Sequence, residues 1–86
     1  MIKHNYSYTE VLVVLQEECA EVIQAVSKIN RFGMTDDKQQ QLLQELGDLQ
    51  CMIDLCQEFD LISFTELEEY AQRKRAKLEE FSTIFG

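Results

Sequence analysis

The sequence predicts an all-α protein with a single domain over residues 1–86. Three observations lead to this prediction: there is no proline, there are only three glycines, and apolar residues recur every three or four positions over long segments. Gly86 is the last residue and Gly33 separates two periodic segments, so only Gly47 lies inside a predicted helix. A chain of this length accommodates one small domain.

The first helix is predicted over residues 8–31. Ser7 and Glu10 have the spacing of a capping box at its start, and Gly33 provides the stop. The second helix is predicted over residues 36–59, and the acidic residues at its start suit the positive end of the helix dipole.

A third helix is predicted over residues 64–80. Ser63 and Glu66 repeat the capping-box spacing just ahead of it. The segment FSTIFG that follows is interpreted as a tail that docks on another surface.

The lengths of the first two helices predict self-association. Each would be about 36 Å long at 1.5 Å per residue, which is too long for so short a monomer to cover on all sides. Two long helices joined by a short turn form an antiparallel hairpin, and two hairpins form a four-helix bundle. We therefore expect a homodimer or a homotetramer.

Composition excludes several classes of protein. A formal net charge of −8 opposes binding to nucleic acid, which depends on Lys and Arg contacts with phosphates. No apolar run is long enough to span a membrane, and the first ten residues lack the apolar core of a signal peptide. The three cysteines show no CxxC spacing, which is typical of reduced thiols. These features predict a cytoplasmic protein.

Several carboxylates interrupt the apolar face of the first helix. On a helical wheel Glu18 falls within the core stripe, Glu21 lies at its edge, and Glu17 lies near the polar border. The stripe itself is formed by Val11, Leu15, Val22, Val26 and Ile29.

The second helix shows the same conflict. Glu45 projects between Met52 and Cys56, near the middle of the apolar arc, and Asp48 lies at one side of that arc. The arc is formed by Leu42, Leu46, Leu49, Met52, Ile53, Cys56 and Phe59.

These misplaced carboxylates indicate a functional site. An unpaired buried carboxylate costs several kcal/mol, and the two helices contain few cations to compensate. Carboxylates one helical turn apart on two adjacent helices present oxygen ligands to one small volume, which suits Mg²⁺, with Mn²⁺ as a substitute. His4 is the only histidine, so neither a di-iron site nor a zinc site is favoured.

Two motifs carry a resemblance to a known family. The segments EECAE and ELGD, residues 17–21 and 45–48, are separated by 23 residues. This arrangement resembles the EExxE–spacer–ExxD signature of the MazG-like, all-α nucleoside triphosphate pyrophosphohydrolases. The resemblance covers residues 10–60 and continues more loosely through KRAKLEEF in the third helix.

The resemblance implies a Mg²⁺-dependent reaction. In that family the signature carboxylates bind Mg²⁺, which holds a nucleoside triphosphate, and water attacks the α-phosphorus to give a nucleoside monophosphate and pyrophosphate. Glu17 would assist, either as an outer ligand or by orienting the attacking water. The metal ligands implied here are Glu18, Glu21, Glu45 and Asp48.

Four cations are candidates for binding the triphosphate. Lys28 lies two turns beyond Glu21 on the same edge of its helix, and Arg31 lies in the following turn. Lys74 and Lys77 resemble family lysines near the triphosphate, although they also suit pairing with acids nearby. Lys28 equally suits a stabilising position at a helix end.

Two alternatives remain open. One is a phosphoribosyl-ATP pyrophosphohydrolase. Such an enzyme uses carboxylates in the same way, but it is less compatible with the short connection INRFGM. The other is a non-enzymatic acidic helical bundle that acts as an interaction or assembly module. The second alternative predicts that metal neither stabilises the protein nor affects its behaviour.

Overall fold

The computed structural model describes the backbone of residues 5–86 and the side chains of residues 8–86. In this part of the chain the regular structure is entirely helical. The elements are α1 (Asn5–Phe32), α2 (Asp36–Glu58) and α3 (Phe64–Phe81). The all-α prediction and the three predicted helices are confirmed.

The predicted start of the first helix is wrong by three residues. The sequence suggested a cap at Ser7, whereas α1 begins at Asn5 and includes Ser7. No proline or glycine separates these two positions, so nothing interrupts the helical backbone there, and extending a formed helix adds a hydrogen bond per residue.

A tight turn joins α1 to α2. Gly33 has φ +88° and its N–H donates to the Ile29 carbonyl at 2.8 Å, which ends α1 as predicted. The Thr35 hydroxyl then accepts from the Lys38 N–H at 3.2 Å and caps α2. The two helices therefore form an antiparallel hairpin.

The hairpin has a small core near its open end. Val11, Met52 and Cys56 are buried and packed together. Val26 and Leu46 were predicted to belong to the core, but they are 39% and 44% exposed. The reason is geometric, because a two-helix hairpin covers only one side of each helix. Half-buried side chains around this core are Val14, Leu15, Leu55, Phe59 and Leu61.

The third helix stands largely apart. The Ser63 hydroxyl accepts from the Glu66 N–H at 3.4 Å, so the predicted cap of α3 is confirmed. α1 and α2 pack against each other, whereas α3 makes only marginal contact with the hairpin and contains no buried residue. α3 ends at Phe81, one residue beyond the prediction, where the Ser82 hydroxyl donates to the Leu78 carbonyl at 2.8 Å.

The molecule is extended for its size. Its Cα radius of gyration is 15.6 Å, whereas a compact domain of this length would have about 12 Å. None of the described helices is long and apolar enough to cross a membrane.

Candidate functional site

The hairpin turn determines which carboxylates meet. Glu21 and Glu45 each lie twelve residues from Gly33, and Glu18 and Asp48 each lie fifteen residues from it. In an antiparallel hairpin centred on Gly33, residues at equal distances from the turn face each other. The electrostatics agree with this pairing, because Glu21 is the charge that acts most on Glu45, and Asp48 is the charge that acts most on Glu18.

Glu45 is the most constrained member of the group. It is only 8% exposed and is the one charged residue buried among the side chains that the structure describes. Burial raises the pKa of Glu45, and the negative charge of Glu21 raises it further. In its protonated form Glu45 donates a hydrogen bond to the Glu21 carboxylate, which favours the neutral acid. Asp48 and Glu18 act in the same direction.

Glu18 is half-buried on α1, one turn before Glu21. Burial makes the largest contribution to raising the pKa of Glu18, and the charge of Asp48 across the hairpin comes second. Glu21 and the adjacent Glu17 raise this pKa further. Glu17, Glu21 and Asp48 are themselves exposed, so the group is open to solvent on one side.

These five residues form what we call the acidic cluster: Glu17, Glu18, Glu21, Glu45 and Asp48. The four residues predicted as metal ligands therefore lie together, with Glu17 at their border. Every charged group that raises the pKa of Glu18 or Glu45 is another carboxylate. No cation is among the groups that shift the pKa of Glu18 or Glu45, so the negative charge of the acidic cluster is not offset at these two residues.

The donor chemistry of the acidic cluster fits a hard divalent cation, since carboxylate oxygens are the ligands that Mg²⁺ prefers. The side-chain conformations are not those of an assembled ligand shell. Within residues 8–86 no group of three or more His, Cys, Asp or Glu side chains is arranged to hold a metal ion. The role of the four carboxylates as ligands stays a prediction.

The predicted substrate-binding cations lie outside the acidic cluster. Lys28 is exposed on α1. The Arg31 guanidinium lies 5.1 Å from the centre of the Phe32 ring, and the Lys38 ammonium lies 5.4 Å from the same ring. This pair of cations around one aromatic ring was not predicted from the sequence, because Lys38 reaches back across the turn to the Gly33 carbonyl.

The two predicted lysines of α3 are also remote. Lys74 and Lys77 are exposed, and α3 makes only marginal contact with the hairpin that carries the carboxylates. Neither lysine is among the charges acting on Glu18 or Glu45. Within one chain, α3 therefore does not bring these lysines into the acidic cluster.

Two open grooves lie away from the acidic cluster. The larger, of about 360 Å³, follows α1 and was not predicted. The smaller, of about 230 Å³, lies at the start of α3 and includes Leu67 and Tyr70. The larger groove is lined by Val22, Ile23, Val26, Ser27, Asn30 and Arg31.

Comparison of the chain with models of protein families, with curated proteins and with solved structures finds no match. The acidic cluster is the feature that most clearly indicates a function, because a buried glutamate surrounded by further carboxylates opposes folding, and such a cost is often found at functional sites.

Proposed function

We propose that this protein is a Mg²⁺-dependent pyrophosphohydrolase of nucleoside triphosphates, including deoxynucleoside triphosphates, of the MazG-like kind. One observation carries the proposal: two helices bring three carboxylates around the buried Glu45, and the charges acting on that residue are all negative. Such an arrangement is costly in a purely structural protein and is suited to a divalent cation.

The proposed ligands are Glu18, Glu21, Glu45 and Asp48. When bound, Mg²⁺ supplies positive charge that offsets the phosphate oxygens and activates water as a nucleophile. Glu45 would bind the cation as the ionised carboxylate, so the cation competes with the proton that its raised pKa favours. Asp48 and Glu18 close the other side of the site, one helical turn away.

The exposed Glu17 has a different proposed role. It neighbours Glu18 at the solvent side of the acidic cluster, where it orients the attacking water or acts as an outer ligand. Water attacks the α-phosphorus, the bond between the α-phosphorus and the bridging oxygen breaks, and pyrophosphate leaves. A nucleoside monophosphate is the second product.

Charge determines the order of binding. A triphosphate is repelled by five neighbouring carboxylates until a cation reverses the local sign. The proposed phosphate contacts are cations at the rim of the hairpin, Lys28 and Arg31. Lys74 and Lys77 complete the proposed set only if α3 approaches an acidic cluster in an assembly. We therefore expect activity to depend strictly on a divalent cation.

Assembly into a four-helix bundle is part of the proposal. Helical spacing places Ile23 and Val26 of α1, and Leu43 and Leu46 of α2, on the side of the hairpin opposite Glu21. All four apolar side chains are exposed. A second hairpin covering this face would bury them and leave the acidic cluster accessible on the outside.

The decisive experiment is a product assay with the full chain. The protein is incubated with a panel of NTPs and dNTPs in Mg²⁺, and pyrophosphate is measured separately from orthophosphate. We expect pyrophosphate and a monophosphate in equal amounts. Glu45→Ala and Asp48→Ala should each reduce the rate on the order of a hundredfold or more, because each removes a ligand.

Glu58→Ala is the matched control, since Glu58 is an exposed acid on the same helix outside the acidic cluster. Its rate should equal that of the wild type. Orthophosphate as the sole product would show that a different bond is cleaved. Loss of activity in Glu58→Ala to the same extent would show that the acidic cluster is not the site.

The second candidate is a non-enzymatic assembly module. The extensive exposed apolar surface favours this candidate, because such surface marks sites of protein association. It predicts no turnover of any nucleotide in the panel and no change of melting temperature on addition of Mg²⁺. Phosphoribosyl-ATP, added to the same panel, tests the related enzymatic alternative directly.

A further inference from the structure

Helix α3 carries a regular seam of five apolar residues and one lysine that the described part of its own chain leaves largely uncovered. The seam residues are spaced alternately by three and four positions, as in the a and d positions of a coiled coil. Phe64 is 55% exposed and Phe81 is 78% exposed, and the helix makes only marginal contact with the hairpin. The seam consists of Phe64, Leu67, Ala71, Lys74, Leu78 and Phe81.

We propose that this seam pairs with the seam of a second copy of the chain, in antiparallel orientation. The two-fold axis would pass midway between Gln72 and Arg73. An interface of this kind is isologous, so the seam must be complementary to itself when its direction is reversed.

The seam is complementary to its reversed copy at each pair of facing positions. The axis brings Phe64 opposite the partner's Phe81, and Leu67 opposite the partner's Leu78. In the central layers the small Ala71 faces the partner's Lys74. The alkyl stem of that lysine covers the alanine while its ammonium group extends to the solvent. Large residues therefore meet at the ends, and a long side chain meets a short one at the centre.

The parallel arrangement fails the same comparison. It would place Lys74 opposite the partner's Lys74 inside the seam, where two like charges repel each other. It would also place Ala71 opposite the partner's Ala71 and leave a gap between the helices. The order of side chains along α3 therefore favours the antiparallel pair.

The flanking residues support the same register. On one side of the seam Glu68 meets the partner's Arg75, and the two-fold axis produces this attractive pair twice. On the other side Tyr70 meets the partner's Lys77, a favourable neighbour for an aromatic ring. Flanking charges of this kind determine the orientation of paired helices. Arg75 now pairs with Glu79 at 3.4 Å, an exposed contact that contributes little, and its guanidinium lies 4.7 Å from the centre of the Phe85 ring. Pairing across the interface would exchange both contacts.

The exposed area supports a second copy as the occupant. The chain exposes 6988 Å², whereas a compact monomer of its mass would expose about 5,300 Å². A standard interface buries about 800 Å² on each partner. The surface that this chain exposes beyond a compact monomer is therefore large enough for pairing along α3. The proposed α3 pair does not depend on the proposed enzymatic function.

A charge exchange tests the register with the full-length chain. Association is measured by analytical ultracentrifugation over a range of protein concentrations. E68R and R75E each convert two attractive contacts into repulsive ones, so each should weaken association at α3 by about tenfold. The double variant E68R/R75E restores opposite charges across the interface and should recover the affinity of the wild type.

This rescue cannot arise inside one chain. Positions 68 and 75 are about 10 Å apart along the helix, and the double variant leaves two acids at positions 75 and 79. E69R is the matched control: it makes the same change on the face of α3 opposite the seam and should leave association unchanged. A double variant as weak as either single variant would overturn the antiparallel register.

L67E tests the seam itself. Because α3 contains no buried residue, this variant should keep its helix content by circular dichroism while losing association at α3 by about a hundredfold or more. If L67E instead lowers the melting temperature with no change in mass, the seam packs on its own hairpin and the proposal fails. Association of L67E equal to that of the wild type would also overturn it.

Discussion

At the scale of single residues, the charge on Glu45 opposes folding. The side chain is only 8% exposed while the charges that act on it are negative. Glu45→Gln removes the charge and keeps a donor for the Glu21 carboxylate. We expect this variant, in the presence of a chelator at neutral pH, to melt a few degrees above the wild type.

The same variant should lose the response to metal. In the proposed function Mg²⁺ binds the folded wild-type protein, so it should raise the melting temperature. Glu45→Gln should show little increase. Glu58→Gln, with the same change at an exposed position, should behave as the wild type in both conditions. A melting temperature for Glu45→Gln below that of the wild type in chelator would contradict the argument that this charge destabilises the hairpin.

The pKa shifts of Glu18 and Glu45 predict the pH dependence of stability. Both pKa values are raised above the ordinary value of 4.5, so the folded protein binds protons more tightly than the unfolded chain. The stabilising contribution is complete below pH 4.5 and is lost as the pH rises through the raised pKa values. In chelator, urea denaturation should therefore show stability falling from weakly acidic to neutral pH.

The double variant E18Q/E45Q should reduce this slope, since neither side chain then titrates. Glu80→Gln removes a charge outside the acidic cluster and should retain the slope. An identical slope in all three proteins would assign the pH dependence to the net charge of −8 instead.

The residue pattern predicted much of the candidate site. Glu45 stood out in the sequence because a charged residue occupied the middle of an apolar arc, and the structure buries it. The pairing of Glu21 with Glu45 could also be predicted, since both are twelve residues from Gly33. The positions of Lys74 and Lys77 relative to the acidic cluster could not be predicted, because the packing of α3 depends on contacts that helical periodicity does not specify.

At the scale of elements, the turn between α1 and α2 depends on one glycine. Gly33 adopts φ +88°, which strains any residue with a Cβ. Gly33→Ala should therefore destabilise the hairpin by about 1 kcal/mol, although no atom of the described residues lies within 4 Å of the added Cβ. Urea denaturation measures the change.

Gly47→Ala is the matched control within α2. Its added Cβ also meets nothing within 4 Å, but the backbone there is helical. This variant should stabilise the protein by about 0.5–1 kcal/mol, because alanine restricts the unfolded chain and favours the helix. Equal effects at the two positions would show that conformation at Gly33 does not control the hairpin.

Element boundaries followed local chemistry where that chemistry was specific. Ser63 caps α3 as the sequence predicted, and Thr35 caps α2, because a hydroxyl at the cap satisfies an exposed backbone N–H. Ser7 has the same spacing to an acid, yet its backbone lies inside α1. Capping chemistry favours a start but does not prevent a helix from continuing upstream.

At the scale of the whole molecule, the exposed surface is large enough for both of the proposed interfaces. The excess over a compact monomer is roughly 1,700 Å², about twice what one partner buries in a standard interface. The apolar surface also lies in two places. Ile23, which is 68% exposed, belongs to the hairpin face, and Leu67 belongs to the seam of α3. In the proposed assembly the hairpin face belongs to the four-helix bundle and the seam belongs to the α3 pair.

Two substitutions test the two proposed interfaces independently. Ile23→Glu places a charge in the proposed four-helix bundle, and Leu67→Glu places one in the proposed α3 pair. If both interfaces form, each single variant should retain a dimer through the remaining face, and the double variant should be a monomer. Sedimentation equilibrium measures the three masses against that of the wild type. A monomeric Ile23→Glu variant would show that the hairpin face alone supports association, since an independent α3 pair would still hold two chains together.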